Sequence, residues 1–286
     1  MSLHLYHHNS SVCAAKVRIA LAEKGLAWDG TLMTLKGDQL DPAYLQLNPN
    51  AVVPTLVHDG RAIIESNFIL EYLDDAFPAP SLRPAEPADR ADMRLLFQRL
   101  DDPETGIHRT ISVITFGAAY RHFLIDEAGD TDPTLLRPVI ERQMNPKSRA
   151  WLEDVVLFGV ESRAFRQAIA CTDALLDDFE RRLGTSDWLT GDRHSLSDIA
   201  FTPYLARLDL LGFDALFVDR PRLGDWYGRL RSRDSAREVF DWYRPEYRQM
   251  LEERGRDAAM HLPGLLSGLR NRGAPAGGID AAGGPR

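Results

Sequence analysis

Four prolines within thirteen residues divide this chain into two unlike parts. Segment 77–89 reads FPAPSLRPAEPAD, with prolines at 78, 80, 84 and 87. Proline has no amide hydrogen and restricts the residue before it, so this stretch can form neither a strand nor a regular helix. We predict a linker over residues 78–88. A chain of 286 residues has room for a domain on each side of it.

Before the linker, strand signals alternate with helix signals. The predicted elements are a strand ending near His7, a helix over 12–24, a strand over 28–35, a short irregular helix, strands over 55–58 and 61–64, and a helix over 66–76. Asp59-Gly60 joins two of these strands and is a strong hairpin signal. The order β-α-β followed by β-β-α predicts an α/β domain over residues 1–77.

After the linker, the apolar pattern is helical and contains no convincing strand. Helices are expected to start near Asp89, Ser148, Ser195 and Arg222, with breaks at Pro103, at Pro133, Pro138 and Pro146, and around Gly184. We predict an all-helical domain over residues 89–270. The Gly/Ala/Pro-rich residues 271–286 predict a flexible tail.

Composition excludes several classes of function. The 34 Lys and Arg residues against 42 Asp and Glu residues leave a formal charge of -8, which argues against a nucleic-acid partner. No apolar run reaches the roughly 18 residues of a membrane span, and the first residues do not resemble a signal peptide. Two cysteines are too few for a disulfide framework or a metal cluster. We predict a cytoplasmic, soluble protein without a metal.

A proline stands directly before the third strand, at Val53-Pro54. Because proline cannot donate to a strand ladder, it belongs at the first position of a strand. A cis bond there would turn the Val53 backbone outward beside an open strand edge, where a peptide-like ligand could pair with it. A trans-proline that only opens the strand is the alternative.

Glu65 and Ser66 stand where the last strand meets a helix. Ser66 can cap this helix, and the free amides of the first turn favour an anion. A ligand carboxylate could bind Ser66 while the Glu65 carboxylate holds an ammonium group. An α-amino acid carries both groups. A helix cap beside a surface acid is the alternative.

Ser11 and Cys13 stand at the start of the first helix. Unpaired amides and the helix dipole stabilise a thiolate there and lower a thiol pKa from about 8.5. Ser11 could donate its hydroxyl to a ligand thiolate, or Cys13 could itself be a reactive thiolate. The alternatives are a helix cap for Ser11 and a small buried side chain for Cys13.

With these motifs in this order and spacing, the chain resembles the glutathione transferase superfamily over nearly its full length, the tail excepted. The resemblance rests on NSSVCAAKVRIALAEKGL, NPNAVVPTLVHDG and ESNFILEYLDDAFP in the first part. In the helical part it rests on WLTGDRHSLSD, where Ser195 and Asp198 form a helix-capping box. It implies a thioredoxin-like N-terminal domain that binds glutathione and an all-helical domain that holds a hydrophobic co-substrate.

The resemblance also implies which residues hold glutathione. These are Ser10, Lys36, Gln39, Val53, Pro54, Glu65 and Ser66. Val53, beside a cis Pro54, would pair with the cysteinyl backbone. Glu65 and Ser66 would hold the γ-glutamyl end, and Gln39 or Lys36 would meet the glycyl carboxylate. Phe116 and Tyr120 would line the co-substrate pocket, although an aromatic stripe of this kind is also typical of ordinary core.

Two residues are alternative candidates for activating glutathione. In serine-type relatives a hydroxyl such as that of Ser11 stabilises the glutathione thiolate, which then attacks an electrophile. In cysteine-bearing relatives the thiol, here Cys13, forms a mixed disulfide with glutathione. SSVC and AVVPTLV resemble glutathione-dependent reductive dehalogenases, whereas SLRPAEPADRADMR resembles bacterial β-etherases.

The sequence therefore predicts a glutathione transferase that ionises bound glutathione for attack on a small hydrophobic electrophile. A Cys13-dependent redox enzyme, a β-etherase and a non-catalytic ligand-binding protein of the same fold are the alternatives. By analogy with the family we expect a homodimer.

Overall fold

The computed structural model describes residues 2–129, 132–143 and 149–270, so the predicted tail lies outside the described residues. The first part of the chain comprises β1 (Leu3–His7), α1 (Val12–Glu23), β2 (Asp29–Leu32), α2 (Pro42–Leu47), β3 (Thr55–His58), β4 (Arg61–Ile64) and α3 (Ser66–Ala76). The predicted α/β order is confirmed. The second strand is shorter than the pattern over 28–35 indicated.

The four strands form one mixed sheet in the order β2-β1-β3-β4. Strand β1 runs parallel to β2 and antiparallel to β3, which in turn runs antiparallel to β4. Tyr6 lies opposite Thr55, and Thr55 lies opposite Ile64. The end of β1, the start of β3 and the end of β4 therefore lie together at one end of the sheet.

The second part of the described chain is helical and contains no strand. Its helices are α4 (Pro87–Leu100), α5 (Ile107–Thr115), α6 (Arg121–Ala128), α7 (Pro133–Gln143), α8 (Arg149–Phe158), α9 (Arg163–Arg182), α10 (Leu196–Leu210), α11 (Pro221–Arg231), α12 (Arg237–Phe240), α13 (Pro245–Ala259) and α14 (Leu262–Arg270). A π-helical turn, Phe116–Tyr120, joins α5 to α6. None of the helices in these ranges combines the length and the apolarity that crossing a membrane requires.

Two prolines do not act as the sequence indicated. Helix α4 begins at Pro87, inside the predicted linker, because the first turn of a helix does not need the missing amide. The break expected at Pro138 is wrong, since this proline lies inside α7. The buried side chains of Leu136 and Ile140 hold that helix in place although one backbone hydrogen bond is lost. Pro146 lies outside the described residues.

Helix α1 connects the two parts of the molecule, because it packs against both α3 and α10. Every residue from Ala14 to Leu21 is buried, including Lys16 and Arg18. A helix that is buried on all sides is normally apolar throughout, and its charged groups need partners. Arg18 donates to the backbone carbonyl of Glu238 at 2.9 and 3.1 Å.

The capping box at the start of α10 is confirmed. Ser195 is the N-cap residue, and Oδ2 of Asp198 accepts hydrogen bonds from its amide at 2.8 Å and its hydroxyl at 3.0 Å. Asp198 Oδ1 also accepts from the Leu189 amide at 3.1 Å and from Trp226 Nε1 at 2.8 Å. This fully buried carboxylate therefore ties α10 to the preceding loop and to α11.

Candidate active site

Three segments that the sequence singled out meet at one end of the sheet. Helix α1 starts after β1, the Val53-Pro54 segment precedes β3, and Glu65-Ser66 follows β4. The pairing of β1, β3 and β4 brings these chain ends together. The sheet topology thus assembles a site from segments that are far apart in the sequence.

The peptide bond between Val53 and Pro54 is cis, as the resemblance implied. The preceding carbonyl, that of Val52, accepts hydrogen bonds from the Tyr44 hydroxyl at 2.5 Å and from Asn48 Nδ2 at 2.9 Å. Within the described residues, the backbone amide and carbonyl of Val53 make no hydrogen bond. They can accept an extended ligand as an added strand.

Glu65 adopts a backbone conformation with φ of 66°, which is uncommon for a residue with a side chain. It is the N-cap residue of α3, so Ser66 is the first residue of the helix and not the cap that its sequence position suggested. The Glu65 carboxylate accepts from Asn50 Nδ2 at 3.1 Å. Ser66 is buried beside the free first-turn amides, an arrangement that suits a ligand carboxylate.

Ser10 and Ser11 both use their hydroxyl groups within the loop that starts α1. Ser11 is the N-cap residue, and its Oγ accepts from the Ala14 amide at 3.2 Å. The amide and hydroxyl of Ser10 lie 3.2 and 3.1 Å from His8 Nδ1. Burial and the charges of Arg244 and Arg18 lower the pKa of His8 to about 4, so its ring is neutral and can accept these bonds.

Cys13 lies in the first turn of α1 and faces two side chains of the helical part. Its Sγ is 3.3 Å from Nδ1 of His108, on α5, and 3.7 Å from the hydroxyl of Tyr204, on α10. His108 is exposed, whereas Tyr204 is fully buried. Cys13 itself is half-buried.

Lys16 lies one helical turn after Cys13 on the same face of α1. It is fully buried, and its Nζ donates to Asn67 Oδ1 at 2.9 Å. Asn67 Nδ2 in turn donates to Asp101 Oδ2 at 2.7 Å. A neutral amide therefore separates Lys16 from the carboxylate. Burial lowers the pKa of Lys16, and the negative charge of Cys13 opposes that shift.

These neighbours lower the pKa of Cys13 to about 6. Burial by itself would raise that pKa, but the positive charges of His108 and Lys16 and the hydrogen bonds from His108 and Tyr204 outweigh it. The Cys13 thiolate in turn raises the pKa of His108. Cys13 and His108 therefore each stabilise the charged form of the other.

No pattern in the sequence indicated His108 or Tyr204 as site residues. They lie 95 and 191 residues from Cys13, and no spacing rule connects side chains across two domains. Lys16 could have been found, since residues three apart on a helix share a face.

Lys36 and Gln39 lie in the connection between β2 and α2. Lys36 is exposed, and Gln39 Oε1 accepts from the Gly37 amide at 2.9 Å. No hydrogen bond among the described residues links either side chain to Val53 or Ser66. Their contact with the glycyl carboxylate stays a prediction.

Phe116 and Tyr120 lie in the π-helical turn, with ring centroids 5.5 Å apart. Trp151 packs 6.0 Å from Phe116. The guanidinium of Arg207 lies 5.8 Å from the Tyr120 ring and donates to the carbonyl of Ser10 at 2.6 Å. Arg207 thus links this aromatic cluster to the loop that starts α1. That Phe116 and Tyr120 line a co-substrate pocket stays a prediction.

In residues 2–129, 132–143 and 149–270, no group of three or more His, Cys, Asp and Glu side chains is arranged to hold a metal ion.

The pH dependence of thiol alkylation tests the electrostatics of this site. The rate of Cys13 alkylation by iodoacetamide is expected to rise with pH, reach half its maximum near pH 6 and level off above neutrality, because only the thiolate reacts. Cys171 is an internal control, since burial and the charge of Asp102 raise its pKa. Peptide mass spectrometry separates the two. A Cys13 midpoint near the ordinary value of about 8.5 would contradict the assignment.

Both parts of the chain match models of one protein family. Residues 5–81 match the glutathione S-transferase N-terminal domain, and residues 149–229 match the glutathione S-transferase C-terminal domain.

Similar proteins come from two Sphingobium bacteria. Protein LigF of Sphingobium sp. (strain NBRC 103272 / SYK-6) is 30% identical over 251 residues, which cover 84% of this chain and 94% of LigF. The tetrachloro-p-hydroquinone reductive dehalogenase of Sphingobium chlorophenolicum is 27% identical over 257 residues, covering 83% of this chain and 96% of the dehalogenase. The crystal structure of the β-etherase LigF has a TM-score of 0.69 at 25% identity and covers 85% of this chain and 100% of its own. This chain belongs to the glutathione S-transferase family of glutathione-dependent enzymes.

Proposed function

We propose that this enzyme transfers glutathione through a covalent disulfide between glutathione and Cys13. The observation that carries the proposal is the Cys13 sulfur, 3.3 Å from His108 Nδ1 and with a pKa of about 6. At neutral pH this sulfur is mostly thiolate, which is the nucleophile of disulfide exchange. The likeness to a reductive dehalogenase supports a redox role.

The reaction has two steps that balance without a further cofactor. In the first, the Cys13 thiolate attacks the glutathione sulfur of a mixed disulfide. A Cys13–glutathione bond forms, the original S–S bond breaks, and the other thiol leaves with the electron pair and takes up a proton. In the second, a glutathione thiolate attacks the Cys13–glutathione bond, which yields oxidised glutathione and the free Cys13 thiolate. Glutathione is thus the reductant.

The rest of the site can orient glutathione for this attack. The unpaired backbone of Val53 suits the cysteinyl unit, which pairs as an added strand. Glu65 and the first turn of α3 at Ser66 suit the ammonium and carboxylate of the γ-glutamyl end. Both segments lie at the same end of the sheet as the first turn of α1, so the glutathione sulfur would meet Cys13.

Conjugation assisted by Ser11 is the second candidate. The Ser11 oxygen accepts from the Ala14 amide, which leaves its own hydrogen free to donate to a glutathione thiolate. That thiolate would attack a hydrophobic electrophile and displace its leaving group. The likeness to the β-etherase LigF supports this chemistry.

Intact mass spectrometry after incubation with oxidised glutathione separates the two candidates. We expect the wild-type protein to gain one glutathionyl group, which added glutathione removes. The Cys171→Ser variant should gain it equally, and the Cys13→Ser variant should not. If wild type gains none while calorimetry still detects glutathione binding, Cys13 transfer is wrong and Ser11-assisted conjugation is favoured.

We further propose that two copies of the chain associate through α3 and α4. Phe68 on α3 is 66% exposed and Leu95 on α4 is 55% exposed. An ion pair joins the two helices, in which Arg94 donates to Glu71 at 3.0 Å. Burying this apolar face would favour association. Sedimentation at twice the monomer mass would support the dimer, and a monomer at micromolar concentration would contradict it.

The need for reduced glutathione fits a reducing compartment such as the cytoplasm.

A further inference from the structure

His108 contacts the reactive sulfur and is exposed to solvent. It is the second residue of α5, and its exposed ring turns Nδ1 toward Cys13 Sγ at 3.3 Å. The other ring nitrogen, Nε2, has no hydrogen-bond partner within the described part of the chain. One side of the imidazole therefore contacts the nucleophile while the other can exchange protons with water.

The charged and titratable groups around His108 come from several elements. Cys13 and Lys16 face it from α1, and Asp101 lies at the end of α4. Tyr204, on α10, contacts the same sulfur. Among these groups the Cys13 thiolate is the main cause of the raised His108 pKa. Partial desolvation of the ring and the charge of Lys16 lower that pKa, and Asp101 raises it.

Formation of a disulfide at Cys13 removes that anion. The imidazolium then loses the charge that stabilises it, while partial desolvation and Lys16, which both lower its pKa, remain. His108 therefore becomes a stronger acid at the moment when the departing thiolate needs a proton. When glutathione later restores the Cys13 thiolate, the imidazole takes the proton of the attacking thiol.

On the basis of the proposed thiol transfer, we propose that His108 is the general acid that protonates the departing thiol. The enzyme then acts on glutathione mixed disulfides of weakly acidic, aliphatic thiols. In this step Cys13 Sγ bonds to the glutathione sulfur, the S–S bond to the departing thiol breaks, and that sulfur keeps the electron pair and receives the His108 proton. Acid assistance matters most for such leaving groups, because an acidic thiol leaves readily as its anion.

Two substrates with different leaving groups test this inference. One is the mixed disulfide of glutathione with cysteine, and the other is that with nitrothiobenzoate, a much more acidic aromatic thiol. Rapid quenching followed by intact mass measurement gives the rate of Cys13–glutathione formation from each. For His108→Gln we expect a loss on the order of 10²-fold with the cysteine disulfide and a much smaller loss with the nitrothiobenzoate disulfide.

The ratio of the two rates separates acid catalysis from positioning. Any change in the fraction of Cys13 thiolate alters both rates equally and leaves the ratio unchanged. Tyr204→Phe is the matched control, because it removes the other contact to the sulfur but keeps the acid, so its ratio should equal that of wild type. An unchanged ratio in His108→Gln would overturn the acid role of His108 but would leave the proposed thiol transfer standing. If neither substrate yields a Cys13 adduct with wild type, the proposed function itself is wrong.

Discussion

Replacing Cys13 with serine is expected to abolish the glutathione-dependent reduction of mixed disulfides. We expect kcat/KM to fall on the order of 10³-fold or more, as it does when a covalent nucleophile is removed. The cause is the loss of the group that is ionised near pH 6, because a serine hydroxyl in the same place stays protonated at neutral pH. The measurement is a steady-state assay with the glutathione–cysteine disulfide and excess glutathione.

Two further variants make the result specific to Cys13. Cys171→Ser changes the other cysteine, which lies on α9, and should leave turnover unchanged. Ser11→Ala removes the cap of α1, so we expect a loss of about 1 kcal/mol of stability but retained disulfide reduction. If Cys13→Ser keeps its turnover and Ser11→Ala loses it, the thiol-transfer mechanism is refuted.

Replacing Asp198 with alanine is expected to produce the largest loss of stability. The carboxylate is fully buried and accepts four hydrogen bonds, two from Ser195, one from the Leu189 amide and one from Trp226 Nε1. Each buried donor left without an acceptor costs about 1–3 kcal/mol. We expect the free energy of unfolding to fall by about 4 kcal/mol, out of the roughly 5–15 kcal/mol typical of a folded protein.

Urea unfolding monitored by circular dichroism measures this change. Asp198→Asn keeps one acceptor oxygen and should lose about half as much. Asp225→Ala alters an exposed aspartate on α11 and should stay within about 0.5 kcal/mol of wild type. If Asp198→Ala unfolds at the same urea concentration as Asp225→Ala, the capping network does not stabilise the helical part.

Local chemistry made much of the fold predictable. Strands 55–58 and 61–64 and the helix over 66–76 agree with the structure at both ends, because a hairpin turn and a helical period are read within a few residues. Pro138 shows where such reasoning fails. Its effect on α7 depends on the packing of Leu136 and Ile140, which no local pattern contains.

The site divides in the same way. Ser11, Cys13, Val53 and Ser66 were found because a helix start and a proline before a strand are local signals with known chemistry. The choice between Ser11 and Cys13 stayed open, because the pKa of a thiol depends on the charges around it as well as on its place in a helix.

Sequence by itself therefore determined the α/β and helical parts, the capping box and the segments that we propose to bind glutathione. Only the tertiary structure brought His108 and Tyr204 to the sulfur and buried Lys16 beside it. The reason is physical. Hydrogen bonds and charge–charge interactions act through distance in space, and the packing of α1 against the helical part places these groups together although 95 and 191 residues separate His108 and Tyr204 from Cys13.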